Sequence, residues 1–243
     1  MKSFHQSLRI FAITLLAVGI SHAAALRIEP PDRPLFDTVV VPLVRQFITN
    51  HHLAFPANFT TNDISSASCG HSEDPRVRIF SINLKKEHSF TILTSGTIGE
   101  VWHYNTQILN LFGVFNRVDT NEMRFLASQP NRLNKESALK LCQETFLKQG
   151  HDPKNFRPPE FQQIVWGENP KDPIVLPFYE ATWVRNDVTQ EMIRSGSSYP
   201  NVRIFVDGLI GTVAHYGKYD MGIGSDFGPM PEAPKVKAVE QPQ

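Results

Sequence analysis

His103 and His215 occupy the same place in two copies of one pattern. Ser95-Gly-Thr-Ile-Gly-Glu-Val-Trp-His-Tyr-Asn105 recurs as Asp207-Gly-Leu-Ile-Gly-Thr-Val-Ala-His-Tyr-Gly217, with six of eleven positions identical. Two imidazoles are the start of a metal site, because neutral histidine is a common ligand. A site needs further ligands, and the sequence places none beside them. The plainer reading is a pair of half-exposed strand residues, each beside a tyrosine (Tyr104 or Tyr216), repeated with the unit that carries them.

A second constellation is Cys69-Gly-His71 followed by Glu73 and Asp74. It offers a thiol, an imidazole and two carboxylates. No second ligand pair at a metal-site spacing accompanies it, so it reads as a polar loop with a free or bonded cysteine. Cys69 and Cys142 are the two cysteines of the chain, and an oxidising compartment makes them a candidate disulfide. The competing reading leaves both thiols free. Cys142 falls on the apolar face of a predicted helix, where a thiol behaves as a small hydrophobe.

The other reactive types have plain accounts. His51-His52 ends a predicted helix, where cationic side chains complement the dipole. Asp63, Glu73 and Asp74 read as solvated loop charge. Trp102, Trp166 and Trp183 fall on predicted strands, as core or cross-strand partners. Asn58-Phe-Thr60 is a glycosylation sequon if the source is eukaryotic. The chain holds no Gly-x-Ser-x-Gly, His-Glu-x-x-His, P-loop or dinucleotide fingerprint. No catalytic, metal or cofactor residue is therefore assigned, and no cofactor is expected. Lys plus Arg and Asp plus Glu both number 24, and no block of like charge stands out. Bulk charge thus points to neither a nucleic-acid nor an anionic-membrane partner.

Residues 1–25 read as a signal peptide. Lys2 and Arg9 precede an apolar run, Ile10 to Ile20, which is short for a membrane span. Ser21-His22-Ala23-Ala24-Ala25 then offers small residues for cleavage after Ala23 or Ala25. The expectation is an exported protein, periplasmic or extracellular, with no membrane attachment after cleavage. Pro229 to Gln243 is rich in Pro, Glu and Lys, and 221–243 reads as a disordered tail.

Between these ends the elements form two sets. A helix is expected over 38–50, with Val40, Leu43, Val44, Phe47 and Ile48 on one face, capped by Asp37 or Thr38. A loop is expected over 54–75, then strands at 76–84, 88–94 and 97–104. A short helix is expected near 120–128. Asn134 is a good N-cap for the next helix, which buries Ala138, Leu139, Cys142 and Phe146 and ends at Gly150. Strands follow at 161–166, 176–185, 201–206 and 209–216, separated by loops at 167–173 and 186–200. Pro153, Asn155 and Phe156 echo Pro56, Asn58 and Phe59 after the first helix. Asp207-Gly208 and Ser95-Gly96 read as tight hairpin turns, with positive φ expected at Gly208. Gly99 and Gly211 read as strand glycines that admit a close neighbour. The apolar run Ile108 to Phe115 predicts that the two sets share a core instead of swinging on a linker. The fold class is α+β: a helix packed on an antiparallel meander, twice, over 26–116 and 117–220.

The second set resembles the PepSY domain family. The resemblance rests on Asn134-Lys-Glu-Ser-Ala138 opening a helix, and on Val206-Asp207-Gly208 turning into Gly211-Thr-Val213-Ala-His-Tyr216. The first set is similar only in its hairpin. The resemblance implies an exported, non-catalytic module, in some cases an inhibitor or chaperone of a peptidase, and it carries no catalytic residue across. The leading expectation is a binding or regulatory module that contacts a peptidase or another secreted or envelope protein. The alternatives are a secreted enzyme with its site between the two units, and a small-ligand carrier using the sheet faces.

Overall fold

A computed structural model describes residues 26–74, 76–85, 88–106, 120–166, 173–195 and 198–221. The signal segment, the run Ile108 to Phe115, the boundary near 116 and residues 222–243 lie outside them. After a two-residue strand, β1 (Leu26–Arg27), the chain turns helical at once. A 3-10 turn (Pro30–Asp32), one α turn (Arg33–Leu35) and a π turn (Phe36–Val40) lead into α1 (Val41–Asn50). Pro42 has no amide hydrogen, so the carbonyl four residues back lacks its usual donor, and the wider π turn falls at that point. The helical stretch thus begins well before 38. Asp37 and Thr38 do not cap it: Asp37 pairs with Arg33 at 2.8 Å, and the Thr38 hydroxyl donates to the Pro34 carbonyl.

Four strands follow: β2 (Ile64–His71), β3 (Val77–Leu84), β4 (His88–Ser95) and β5 (Ile98–Thr106). Then come α2 (Thr120–Ser128), α3 (Lys135–Lys148), β6 (Glu160–Trp166), β7 (Ile174–Val184), a short α4 (Gln190–Arg194), β8 (Asn201–Asp207) and β9 (Thr212–Tyr219). Strand β2 lies inside the stretch expected as loop. Its Ser-rich sequence carries little strand propensity, and its pairing with β3 and β1 supplies what propensity does not.

The nine strands of the described residues form one sheet in the order β1-β2-β3-β4-β5-β9-β8-β7-β6. The β1–β2 pair is parallel and every other pair antiparallel. The fold is therefore α+β on an antiparallel sheet. β5, fifth from the β1 end, pairs at the centre with β9, fourth from the β6 end. Phe36, Val40, Val44 and Phe47 of the first helical stretch share one buried cluster with Ala138, Cys142 and Phe146 of α3. The same cluster takes Phe80, Ile82, Phe90 and Ile92 from one half of the sheet and Val202, Ile204, Val206 and Val213 from the other. Burying each such side chain contributes roughly 1.5–3 kcal/mol, so the halves hold each other through one continuous core. A second, smaller cluster puts Met123 of α2 on Ile174, Leu176 and Phe178 of β7. Strand alternation places those three opposite Tyr179, Ala181 and Trp183, which belong to the main core.

Local chemistry explains α3 closely. The Asn134 side chain accepts from the Ser137 amide at 2.8 Å, and Gly150 takes φ of 81° at the far end. His52 does the same at the end of α1 with φ of 49°, a non-glycine residue in the left-handed region. The paired turns after the two helices are also alike: Phe59 N–H donates to Pro56 O and Phe156 N–H to Pro153 O, both at 3.2 Å.

The second hairpin differs from expectation, and the first does not. β4 and β5 are joined by two residues, with Gly96 at φ of 60°. β8 and β9 are joined by four, and the positive φ falls on Gly211 at 78°, not on Gly208. Gly208 is required for space. A Cβ there would lie 2.5 Å from the Pro177 carbonyl oxygen, because the Gly208 N–H donates to that oxygen at 2.8 Å. Its own carbonyl accepts from Arg132 N–H at 2.8 Å, at the approach to α3. Asp207 shapes the same turn: its Oδ1 accepts from the Leu209 and Ile210 amides at 2.8 and 3.3 Å. Gly99 is the strand glycine with the close neighbour. A Cβ there would meet Leu43 Cδ1 and Val39 Cγ1 at 2.7 Å, so the first helix packs on it.

Candidate functional site

The central seam brings the repeated residues together. Tyr104 of β5 pairs directly with Tyr216 of β9, with His103 opposite Gly217 and Asn105 opposite His215. Each hairpin is bulged one residue before its histidine: Trp102 is the extra residue in β5 and Ala214 in β9. The bulge explains how Val101 and Tyr104, and likewise Val213 and Tyr216, all reach the helix-side core despite two intervening residues.

On the helix side the seam is filled. The Phe47 ring lies 5.0 Å from Tyr104 and 6.0 Å from Tyr216. The Tyr104 hydroxyl is hydrogen-bonded to His88 Nδ1 at 3.0 Å and the Tyr216 hydroxyl to His151 Nε2 at 2.8 Å. Burial pushes the Tyr104 phenol well above its ordinary pKa. Above them the helix ends touch. Lys148 Nζ donates to Asn50 O at 2.9 Å, and Gln149 Nε2 donates to His51 Nε2 at 2.8 Å. His51 Nε2 is then the acceptor, so its proton sits on Nδ1, facing Thr145 Oγ1 at 3.4 Å. Burial first, then the charge of Lys148, lowers His51 to about 4. The sequence account of His51 as a cation at a helix end is thus corrected: it is a neutral, buried contact between helices.

The opposite face is polar and aromatic at the seam. His215, Gly217 and Tyr219 share it, since a Cβ on Gly217 would lie 2.8 Å from His215 Nε2 and 2.9 Å from Tyr219 Cε2. His215 Nδ1 donates to Asn105 Oδ1, and its Nε2 accepts from the Tyr219 hydroxyl at 3.1 Å. Burial, then the proximity of His103 and Arg203, lowers His215 to about 3. His103 lies tilted against Tyr219 with ring centroids 5.2 Å apart, and burial lowers its pKa too. Its Nε2 makes no hydrogen bond among the described residues. The structure thus brings the repeated histidines to one tyrosine. Both nitrogens of His215 are committed to hydrogen bonds, so His215 has no free lone pair to share with a metal. His215 is also buried, where the pattern suggested half exposure. The Arg203 guanidinium sits over the Tyr219 ring at 5.4 Å, and Phe205 packs edge-on to His215 at 5.6 Å. At the seam's margin buried Lys218 reaches Glu100 at 2.9 Å, and Glu100 accepts from Trp102 Nε1 at 3.1 Å.

The Cys69-Gly-His71 constellation acquires a carboxylate that its own neighbourhood did not suggest. Asp74 turns to Arg76 at 2.7 Å. The carboxylate beside Cys69 and His71 is Asp32, from the 3-10 turn before α1, and Arg78 holds its Oδ1 at 3.2 Å. Cys69 and Cys142 are both free. They lie in different halves: Cys69 is on β2 beside Asp32, whereas Cys142 on α3 faces the Ile204 carbonyl at 4.0 Å. Burial raises Cys142 to about 12. Burial, then the Asp32 charge, raises Cys69 to about 11. Asp63 caps its own turn, its Oδ2 accepting from the Thr60 N–H at 2.7 Å. Trp183 stacks on Phe146 at 4.5 Å in the core.

No helix among the described residues is long and apolar enough to cross a membrane. No family model, curated protein or solved structure matches the chain. The PepSY likeness therefore rests on the hairpin and helix-opening residues themselves.

Proposed function

We propose that the chain is an exported, non-catalytic binding or regulatory protein made of two tandem helix-plus-meander units, the second PepSY-like, and that it contacts a peptidase or another secreted protein. The observation that carries the reading is the duplicated bulge at Trp102 and Ala214, centred on the face that α1 and α3 leave uncovered at the seam. Bulges re-aim side chains and recur beside functional sites. Around these two lie half-buried Trp102, His103, Phe205 and Tyr219, with Arg203 exposed over the tyrosine ring. Tryptophan, tyrosine and arginine are the side chains that dominate binding energy between proteins. Their conformations are held here by strand pairing, which lowers the ordering cost of an encounter. The enzyme alternative places its site between the halves. On the helix side, among the described residues, that junction is occupied by the packed rings of Phe47, Tyr104 and Tyr216.

The test is capture from the native secretome on immobilised mature protein, read by mass spectrometry, with wild type beside Trp102→Ala and Arg203→Glu. The expected result is a discrete secreted protein, retained by wild type and lost by both variants. A partner retained equally by all three, or turnover of a captured molecule by the chain itself, overturns the reading. Export is tested separately by N-terminal sequencing of the secreted chain, with a start at Ala24 or Leu26 expected. A secreted chain that begins at Met1 removes the cleavage part of the proposal.

A further inference from the structure

Cys69 and His71 stand two residues apart on β2, and strand alternation puts both on one face of the sheet. That face is the one turned to the helices, since Ala67 belongs to the core and Cys69 packs against it. Asp32 reaches the same place from the turn that opens the first helical stretch, 37 residues earlier in the chain than Cys69 by their numbers. One ligand atom from each of the three lies within 4.8 Å of the other two. His71 Nε2 is 3.7 Å from Asp32 Oδ2.

Asp32 is 5% exposed, and its two oxygens differ. Oδ1 accepts from Arg78 Nε at 3.2 Å, and Oδ2 is buried without a hydrogen-bond partner. A buried carboxylate oxygen left unpaired is costly. This one is aimed at the thiol and the imidazole. We propose that Asp32, Cys69 and His71 form a binding site for a divalent cation of the zinc class, with Asp32 Oδ2, Cys69 Sγ and His71 Nε2 as ligands.

Four features support zinc chemistry. The donor set of one thiolate, one imidazole and one carboxylate is borderline-soft, which suits Zn²⁺ and not Ca²⁺ or Mg²⁺. Tetrahedral bonds of about 2.0–2.3 Å place ligand atoms roughly 3.3–3.8 Å apart; Asp32 Oδ2 and His71 Nε2 already stand at 3.7 Å, and all three atoms lie within 4.8 Å of one another. Arg78 occupies the other Asp32 oxygen, so the carboxylate is oriented to bind through Oδ2 alone, the role that outer partners play at metal sites. His71 is the exposed member, its side chain 57% accessible, and it can swing the last part of an ångström to close the site. On binding, Cys69 gives its proton to solvent as the metal–sulfur bond forms, and His71 binds as the neutral ring. Three protein ligands leave one tetrahedral position for water or for a group from a partner.

The experiment uses the full chain, purified without a polyhistidine tag and stripped with a chelator, then titrated with Co²⁺ as the spectroscopic probe. One Co²⁺ per chain is expected, with a thiolate-to-cobalt charge-transfer band in the near ultraviolet that Zn²⁺ abolishes. Cys69→Ser removes the band. His71→Ala, at an exposed position that leaves the fold intact by circular dichroism, weakens zinc binding by at least about tenfold, no less than the loss from removing an outer-shell partner. Cys142→Ser leaves both unchanged. A chain that gives no such band overturns the site, as does a band that survives Cys69→Ser or zinc affinity unaltered by His71→Ala.

Discussion

His51 and His215 are both held neutral by what surrounds them, and the sign of the consequence is definite. Their folded values, about 4 and about 3, lie below the 6.5 of a free imidazole. At neutral pH neither state binds a proton there, and nothing is lost. As pH falls below about 6.5 the unfolded chain takes up protons that the folded chain refuses, so stability drops until the folded values are reached. Each unit of depression corresponds to ~1.4 kcal/mol, so the two sites together remove several kcal/mol. We expect the melting temperature to fall steeply between about pH 6.5 and pH 4, and the double variant His51→Gln/His215→Asn to flatten that slope. Parallel slopes for the variant and wild type would refute the assignment. The Lys218–Glu100 pair is the other residue-scale test. With Lys218 only 2% exposed, Glu100→Ala removes the carboxylate that its ammonium meets at 2.9 Å and should cost about 3–5 kcal/mol in chemical denaturation. The apolar double replacement Glu100→Leu/Lys218→Met should recover most of it. A double variant no more stable than Glu100→Ala alone counts against a buried pair.

Among the elements, the two hairpins make the sharpest contrast. The glycine pattern Gly96/Gly208 and Gly99/Gly211 is shared in sequence, but each member serves a different need. Gly96 and Gly211 supply positive φ, whereas Gly208 and Gly99 make room. Gly211→Ala should therefore cost about 1 kcal/mol, the range for a left-handed position. Gly208→Ala should cost more, because its Cβ meets the Pro177 carbonyl oxygen, and backbone cannot step aside as a side-chain tip can. Gly99→Ala falls between, opposed by side-chain methyls of Leu43 and Val39. Urea denaturation of the three variants ranks them. A ranking with Gly211→Ala the most costly would return the turn to a purely conformational role for its glycines.

For the whole molecule, one sheet and one core predict one transition. β5 and β9 each complete the other, and Tyr104 and Tyr216 bury their rings against the same Phe47. Cutting the chain into 26–116 and 117–220 leaves two new sheet edges and uncovers those aromatic rings. Exposed edges and apolar patches of that kind drive association. We expect the intact chain to melt in a single step and the isolated fragments to be unfolded or aggregated at the same temperature. Two independent fragment transitions that sum to the profile of the whole would show that the halves are separable. Tyr216→Ala in the intact chain should cost about 3–5 kcal/mol, the loss for a large aromatic removed from a core.

What the sequence determined by itself is the chemistry that acts over a few residues. Asn134 as a cap, Gly150 as a helix stop, the strand alternation of β3, β4, β7 and β8, and the turn at Gly96 all depend on neighbours close in the chain. The eleven-residue repeat was likewise legible, because duplicated hairpins leave duplicated letters. Tertiary structure decided the rest. β2 exists because β1 and β3 pair with it, since its serines have little strand preference of their own. Gly208 needs no side chain because Pro177 lies against it. His51 is neutral because α3, about a hundred residues later, buries it. Asp32 joins Cys69 and His71 only when the first helical stretch lies down on the sheet, whereas the nearer Glu73 and Asp74 belong to a turn of their own. Long-range pairing depends on free energy summed over distant contacts, and no local pattern of residue types records which partners will supply it.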